Sequence, residues 1–159
     1  MLLTGLAMLA LDVPGGPMQV AVHRDPITDR VTASAELLND GHRLVLSCEP
    51  ARYRGMQVRL HSRHWFRHGG TLTGQRTLIY RFDDQAPRRT HWKVRDHDAR
   101  LIGRRQVPAF IDWLTRSELL VVRATDIEGT AFDMYFPLAG VSEAVTELRA
   151  ACEGQPAAQ

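Results

Sequence analysis

The 159-residue chain reads as one mainly β domain of α+β class, an antiparallel β-sandwich-like fold with a short mid-chain helix and a C-terminal helix. Three observations predict that class. Apolar and polar residues alternate with period two through most of the chain, the mark of half-buried strands. Turn-forming clusters such as Asn39-Asp40-Gly41 and Gln85-Ala86-Pro87 separate those runs. Two segments switch to the 3.6-residue period of an amphipathic helix. A chain of this length buries about two thirds of the surface its unfolded form exposes, so a real core is expected.

The elements follow in order. Residues 18–23 alternate Met18, Val20 and Val22 against Gln19, Ala21 and His23, and the turn-rich stretch 24–30 leads to a return strand over 31–38. Residues 43–48 form a third strand, with Leu44, Leu46 and Cys48 on one face. Residues 56–61 and 77–82 alternate cleanly, and Leu78, Tyr80 and Phe82 point one way before Asp83-Asp84 ends the run. Residues 91–95 form a short strand with Trp92 and Val94 inward. In 107–114 a proline suits the first helical turn, and Phe110, Trp113 and Leu114 share a face. Residues 118–125 and 131–138 then make a hairpin around Asp126-Ile127-Glu128-Gly129. A final helix carries Val141, Ala144, Val145, Leu148 and Cys152 on one stripe, with Ser142 as its N-cap. The organisation is a leader at 1–17, a single β-rich domain at 18–153 and a disordered tail at 154–159.

The leader, Met1 to Leu11, is about as long as the apolar centre of a secretory signal, but no Lys or Arg precedes it. A signal remnant, a packed apolar segment and a disordered tail are the three readings it leaves open. It is too short to span a bilayer, and no other stretch is apolar enough, so no integral membrane span is expected.

Cys48 closes a strand and Cys152 closes a helical stripe, both on apolar faces. The residues alone leave a disulfide or two buried thiols open. A bond would close a loop of about a hundred residues, worth roughly 4 to 5 kcal/mol. The cytosol keeps thiols reduced, so a bond would also point to an oxidising compartment.

Net charge is +2, but it is uneven. Residues 52–105 hold fourteen basic residues against four acids, whereas 106–159 hold three against eight. Within the basic third, Arg59, Arg63, Arg67 and Arg76 surround Trp65 and Phe66 and form the candidate partner-binding surface. An acidic protein face, anionic lipid or cell-wall polymers, or single-stranded nucleic acid would suit it; a protein surface is expected over nucleic acid, since no nucleic-acid motif is present. Against this stands the reading that Trp65 and Phe66 are core residues with solvated arginines around them.

His61, His64 and His68 are the one cluster with metal-like spacing, which supports an alternative as a small-ligand or metal-binding periplasmic module. Arg63 and Arg67 between them oppose a cation. The carboxylate pairs Asp83-Asp84 and Asp96/Asp98 sit where turns favour Asp for backbone reasons. Arg81 is expected to pair with Asp83 or Asp133. No G-x-S-x-G, H-E-x-x-H or phosphate-cradling loop occurs. The chain is therefore read as non-catalytic, with no cofactor.

The ordered set of Asp25-Pro26-Ile27-Thr28-Asp29, Leu46-Ser47-Cys48, Tyr80-Arg81-Phe82-Asp83, Phe136-Pro137-Leu138-Ala139-Gly140 and Leu148-Arg149-Ala150-Ala151-Cys152 resembles the VasI (EvfG-like) family of type VI secretion-associated bacterial proteins. The resemblance covers residues 18–152. It implies an exported accessory protein of the envelope, periplasmic or beyond, with a protein partner there and no defined enzymatic activity. It also supplies a reason for pairing Cys48 with Cys152. Without a signal the chain would stay in the cytoplasm.

Overall fold

The computed structural model describes residues 18–48, 55–66 and 74–153; the expectations for 1–17 and 154–159 lie outside them. The strands are β1 (Gln19–Arg24), β2 (Val31–Asn39), β3 (His42–Cys48), β4 (Met56–His61), β5 (Gln75–Phe82), β6 (Arg88–Arg95) and β7 (Asp98–Leu101). Helix α1 (Gln106–Leu114), strands β8 (Leu119–Thr125) and β9 (Ala131–Pro137) and helix α2 (Val141–Glu153) complete the chain. All pairings are antiparallel, and the mainly β class with two helices is as expected.

The strands lie in one continuous nine-stranded sheet, ordered β1-β2-β3-β4-β7-β6-β5-β8-β9, where the sequence had suggested a sandwich. Strand alternation gives the reason. One face is apolar and needs a single cover; the other carries Arg43, Arg59, Arg81, Arg89, Lys93, Arg95, Arg100 and Arg123 and stays in solvent. The helices cover the apolar face. The sheet curls until Asn39 Nδ2 at the end of β2 donates to the carbonyl of Tyr135 on β9 (2.8 Å).

The core sits between the inner face and the helices. Leu37, Leu44, Leu46, Leu60 and Leu120 are fully buried, and α2 lays Val141, Ala144, Val145 and Leu148 over β1, β2 and β3. Helix α1 inserts Phe110 among Tyr80, Phe82 and Trp92, with ring centroids 5.0, 5.2 and 5.6 Å away. Such edge-to-face packing suits the quadrupoles of aromatic rings. Trp113, expected in the core, is half-buried because it lies toward the helix margin, where the Arg88 and Arg116 guanidinium groups stand 4.6 and 5.0 Å from its ring. Ile111 takes the buried position instead.

Turn chemistry sets the hairpins. Asp40 and Gly41 both have positive φ (47° and 73°), as a two-residue hairpin turn with right-handed twist requires. Asp25 Oδ1 accepts the amides of Ile27 and Thr28, and Asp126 Oδ1 accepts those of Glu128 and Thr130. Two local expectations change. Helix α2 begins at Val141 after Gly140 (φ 80°), so Ser142 lies inside the first turn and is not the cap. Val22 points inward but is 58% exposed, because β1 is an edge strand that runs past the core.

Cys48 and Cys152 form a disulfide across 104 residues with a Cα separation of 6.2 Å. The bond fastens the end of α2 to the end of β3. Cys48 is buried, and Cys152 is half-buried on the last turn of its helix.

Candidate functional site

The pairing register brings the basic residues together on the outer face in a way their sequence positions do not reveal. Arg59 on β4 stands directly opposite Arg100 on β7, and Arg100 stands directly opposite Lys93 on β6. All three alternate away from the buried Val58, Leu60, Ala99, Val94 and Trp92, so they share the solvent face. Neighbouring strands are about 4.8 Å apart, and like charges directly opposite each other are destabilising. Among the described residues none of the three forms an ion pair. The row is bounded by Val45 on β3 and Gln75 on β5, both uncharged.

The next row on the same face runs Arg43, His61, Asp98, Arg95. Here charges are partly matched. Arg43 reaches Glu36 at 3.6 Å, His61 Nδ1 lies 3.2 Å from Asp98 Oδ1, and Arg95 Nε lies 3.7 Å from Asp96.

Beyond β4 the chain follows the β6–β7 turn. The amide of Ser62 donates to the carbonyl of His97 and that of Phe66 to the carbonyl of Asp96 (both 2.8 Å). Alternation then separates the two aromatic residues that the sequence had treated together. Phe66 is 1% exposed and belongs to the core, whereas Trp65 is 48% exposed and lies 4.6 Å from the ring of His97. His97 is itself fixed, since its Nδ1 donates to the carbonyl of Ser62 (2.9 Å), and the His61 ring is 5.7 Å away. Trp65, His97 and His61 thus form a short aromatic ladder beside the cations.

The expected partner-binding set is therefore divided. Arg59 and Trp65 face the same side. Arg63 turns to Asp40 (3.3 Å) and donates to His64 Nε2 (3.3 Å). Arg76 shares the inner-face parity of Leu78 and Tyr80 and is half-buried opposite Trp92, so it does not belong to the basic outer face. Arg67 lies outside the described residues, as does His68. Arg100, Lys93, Arg95 and His97 were not singled out from the sequence; the signal available for Lys93 was its parity opposite Trp92 and Val94.

His61 and His64 are engaged by different neighbours. His61 meets Asp98, while the His64 ring packs 4.7 Å from Phe132 and 5.9 Å from His42. Among the described residues no three His, Cys, Asp or Glu side chains gather to hold a metal ion. His42 is 2% exposed, and its Nδ1 is buried with no hydrogen-bond partner among the described residues. Burial, then the charges of Arg63 and His64, hold its imidazole below the ordinary value.

The carboxylates serve the backbone or the cations. Asp83 Oδ1 accepts the amides of Glu118 and Leu119 (both 2.9 Å). Asp133 is taken by Arg123 through two 2.7 Å bonds, not by Arg81, because Arg123 is its direct cross-strand neighbour. That bidentate bond holds the Asp133 carboxyl below the usual range.

Among solved structures, the crystal structure of invasion associated protein B from Bartonella henselae shares this fold. It is 12% identical, with a TM-score of 0.56 over 91% of this chain and 99% of that one. No protein-family model matches the chain, and no curated protein does. What the comparisons establish is the architecture: a nine-stranded antiparallel sheet with two helices, clamped here by one disulfide.

Proposed function

We propose that this chain is an exported, non-catalytic accessory protein of the bacterial envelope that binds an anionic partner through the outer face of β4, β7 and β6. The observation that carries the reading is the row of Arg59, Arg100 and Lys93, which has no ion-pair partner among the described residues. Three cations in direct register cost folding stability. A bound anion repays that cost by supplying the missing counter-charges. The Cys48–Cys152 bond supports the export half of the reading, because such bonds persist in oxidising compartments. The likeness to an invasion associated protein supports an accessory, non-catalytic role, and the resemblance to the VasI family supports a place in the envelope and an association with type VI secretion.

Photocrosslinking in the native host tests the reading. A photoreactive side chain at Lys93 should capture an envelope component, and the same group at Val22 on the edge strand should not. Equal capture from both positions, or none from Lys93, would remove the outer face as the contact. Alkylation of the protein from intact cells should find both thiols blocked; two free thiols would sink the export half. Unchanged effector release from a strain lacking the chain would remove the type VI link.

A further inference from the structure

Resting on the reading of the outer face as an anion-binding surface, we infer that its partner is an acidic polysaccharide, a sugar chain carrying carboxylate groups. Two independent features of the face meet there. The first is the cation row, which spans about 10 Å from Arg59 to Lys93 across two strand spacings. The second is the exposed indole of Trp65, its ring tilted against His97 at 4.6 Å with His61 beyond. Arg59 and His61 are two apart on one strand and Asp98 adjoins His97, so cations and rings form one continuous patch.

Trp65 has a core-facing neighbour in Phe66 that already fills the apolar position, so its exposure serves no packing purpose. An exposed indole offers a flat apolar surface to the C–H face of a pyranose ring. The guanidinium and ammonium groups alongside it pair with carboxylates farther along the same chain. The patch lies on the solvent face of the sheet, within reach of an extended polymer.

The alternatives fit less well. The buried centre of a protein interface is depleted of charge, yet here the centre is three consecutive cations with no apolar residue between them. Single-stranded nucleic acid uses successive aromatic platforms for successive bases, and this patch presents one exposed indole. The disulfide also argues for a compartment without nucleic acid.

Calorimetric titration of the full chain, disulfide intact and at low salt, tests the inference. The probes are polygalacturonate, neutral dextran, poly-L-glutamate and a single-stranded oligonucleotide. Polygalacturonate should bind and dextran should not. Neutralising the row in Arg59→Gln, Lys93→Gln, Arg100→Gln should weaken polygalacturonate binding at least about tenfold. The single Lys93→Gln variant carries the same test with a loss of about threefold. Trp65→Ala should weaken polygalacturonate by about fivefold and leave poly-L-glutamate unchanged, because only the sugar uses the ring. Poly-L-glutamate or oligonucleotide binding as tight as polygalacturonate, or a neutral Trp65→Ala, would overturn the sugar while leaving the anion-binding face intact. No binding to any polyanion would overturn both.

Discussion

Two regions of one sheet face treat opposed charges differently. At the β8–β9 end Arg123 and Asp133 stand directly opposite each other and meet through two 2.7 Å bonds. At the β4–β7–β6 centre Arg59, Arg100 and Lys93 are opposed in the same way with no acid directly beside any of them; the acid in that register, Glu36, stands one strand beyond Val45 and reaches Arg43 instead. The first arrangement is what a sheet does when charge serves stability. The second forgoes that gain three strands running although acids are at hand: Glu36 lies in the same register beyond Val45, Asp98 in the next row and Asp96 in the β6–β7 turn, and each binds another group. The proposed anion-binding role accounts for this charge placement at the centre.

The largest effect expected on either region comes from removing the frame that both share. Replacing Cys48 and Cys152 by Ala should cost about 4 kcal/mol in urea unfolding, since the bond closes a loop of 104 residues. Phe110→Ala, which empties the aromatic cluster on the inner face, should cost about 3 to 5 kcal/mol. A loss below about 1 kcal/mol for either would show that the outer face contributes more than the core. On the outer face, Asp133→Asn converts the matched pair into an unmatched cation and should cost about 0.5 to 1 kcal/mol. That cost has a pH signature. The Asp133 carboxyl is depressed in the fold by Arg123, so its contribution is complete above the ordinary 3.8 and is lost as pH falls through the lower folded value. Arg100→Gln should go the other way, raising stability by about 0.5 kcal/mol by relieving both of its neighbours.

His42 sets the smallest change, and it concerns pH alone. Its imidazole is held below 6.5 by burial and by Arg63 and His64. The unfolded chain therefore takes up a proton that the folded chain refuses, and stability complete above pH 6.5 falls as pH drops below it. His42→Phe keeps a ring beside Phe132 and should flatten that slope. An unchanged slope between pH 7 and pH 5 would place the titrating group elsewhere.

Much of the architecture was legible from alternation. The parity of Leu44, Leu46 and Cys48, and of Trp92 and Val94, assigns the inner face correctly, and the helical stripe places Cys152 within reach of Cys48. Strand β7 escaped notice because Asp98-Ala99-Arg100-Leu101 is four residues long, too short for period two to stand out. The same parity that marks Leu44 would have marked His42 as inward, had it not stood beside the Asp40-Gly41 turn. The proposed binding face was legible only as composition. Lys93 and Arg100 share a local hairpin, but Arg59 is far from both in the chain and joins them because β7 also pairs with β4, an order that no local pattern encodes. Arg63 and Arg76 illustrate the converse: grouped with Arg59 and Trp65 by composition, Arg63 turns to Asp40 and Arg76 takes the inner-face parity opposite Trp92.

The central claim is that Arg59, Arg100 and Lys93 are held together for binding and against stability. The urea midpoint of the Arg59→Gln, Lys93→Gln, Arg100→Gln variant at low salt, compared with the parent, tests it most directly. The account predicts a higher midpoint for the variant, with the gap closing near 1 M salt, where the screening length falls to about 3 Å. A variant midpoint below the parent's would contradict it, because the three cations would then be supporting the fold.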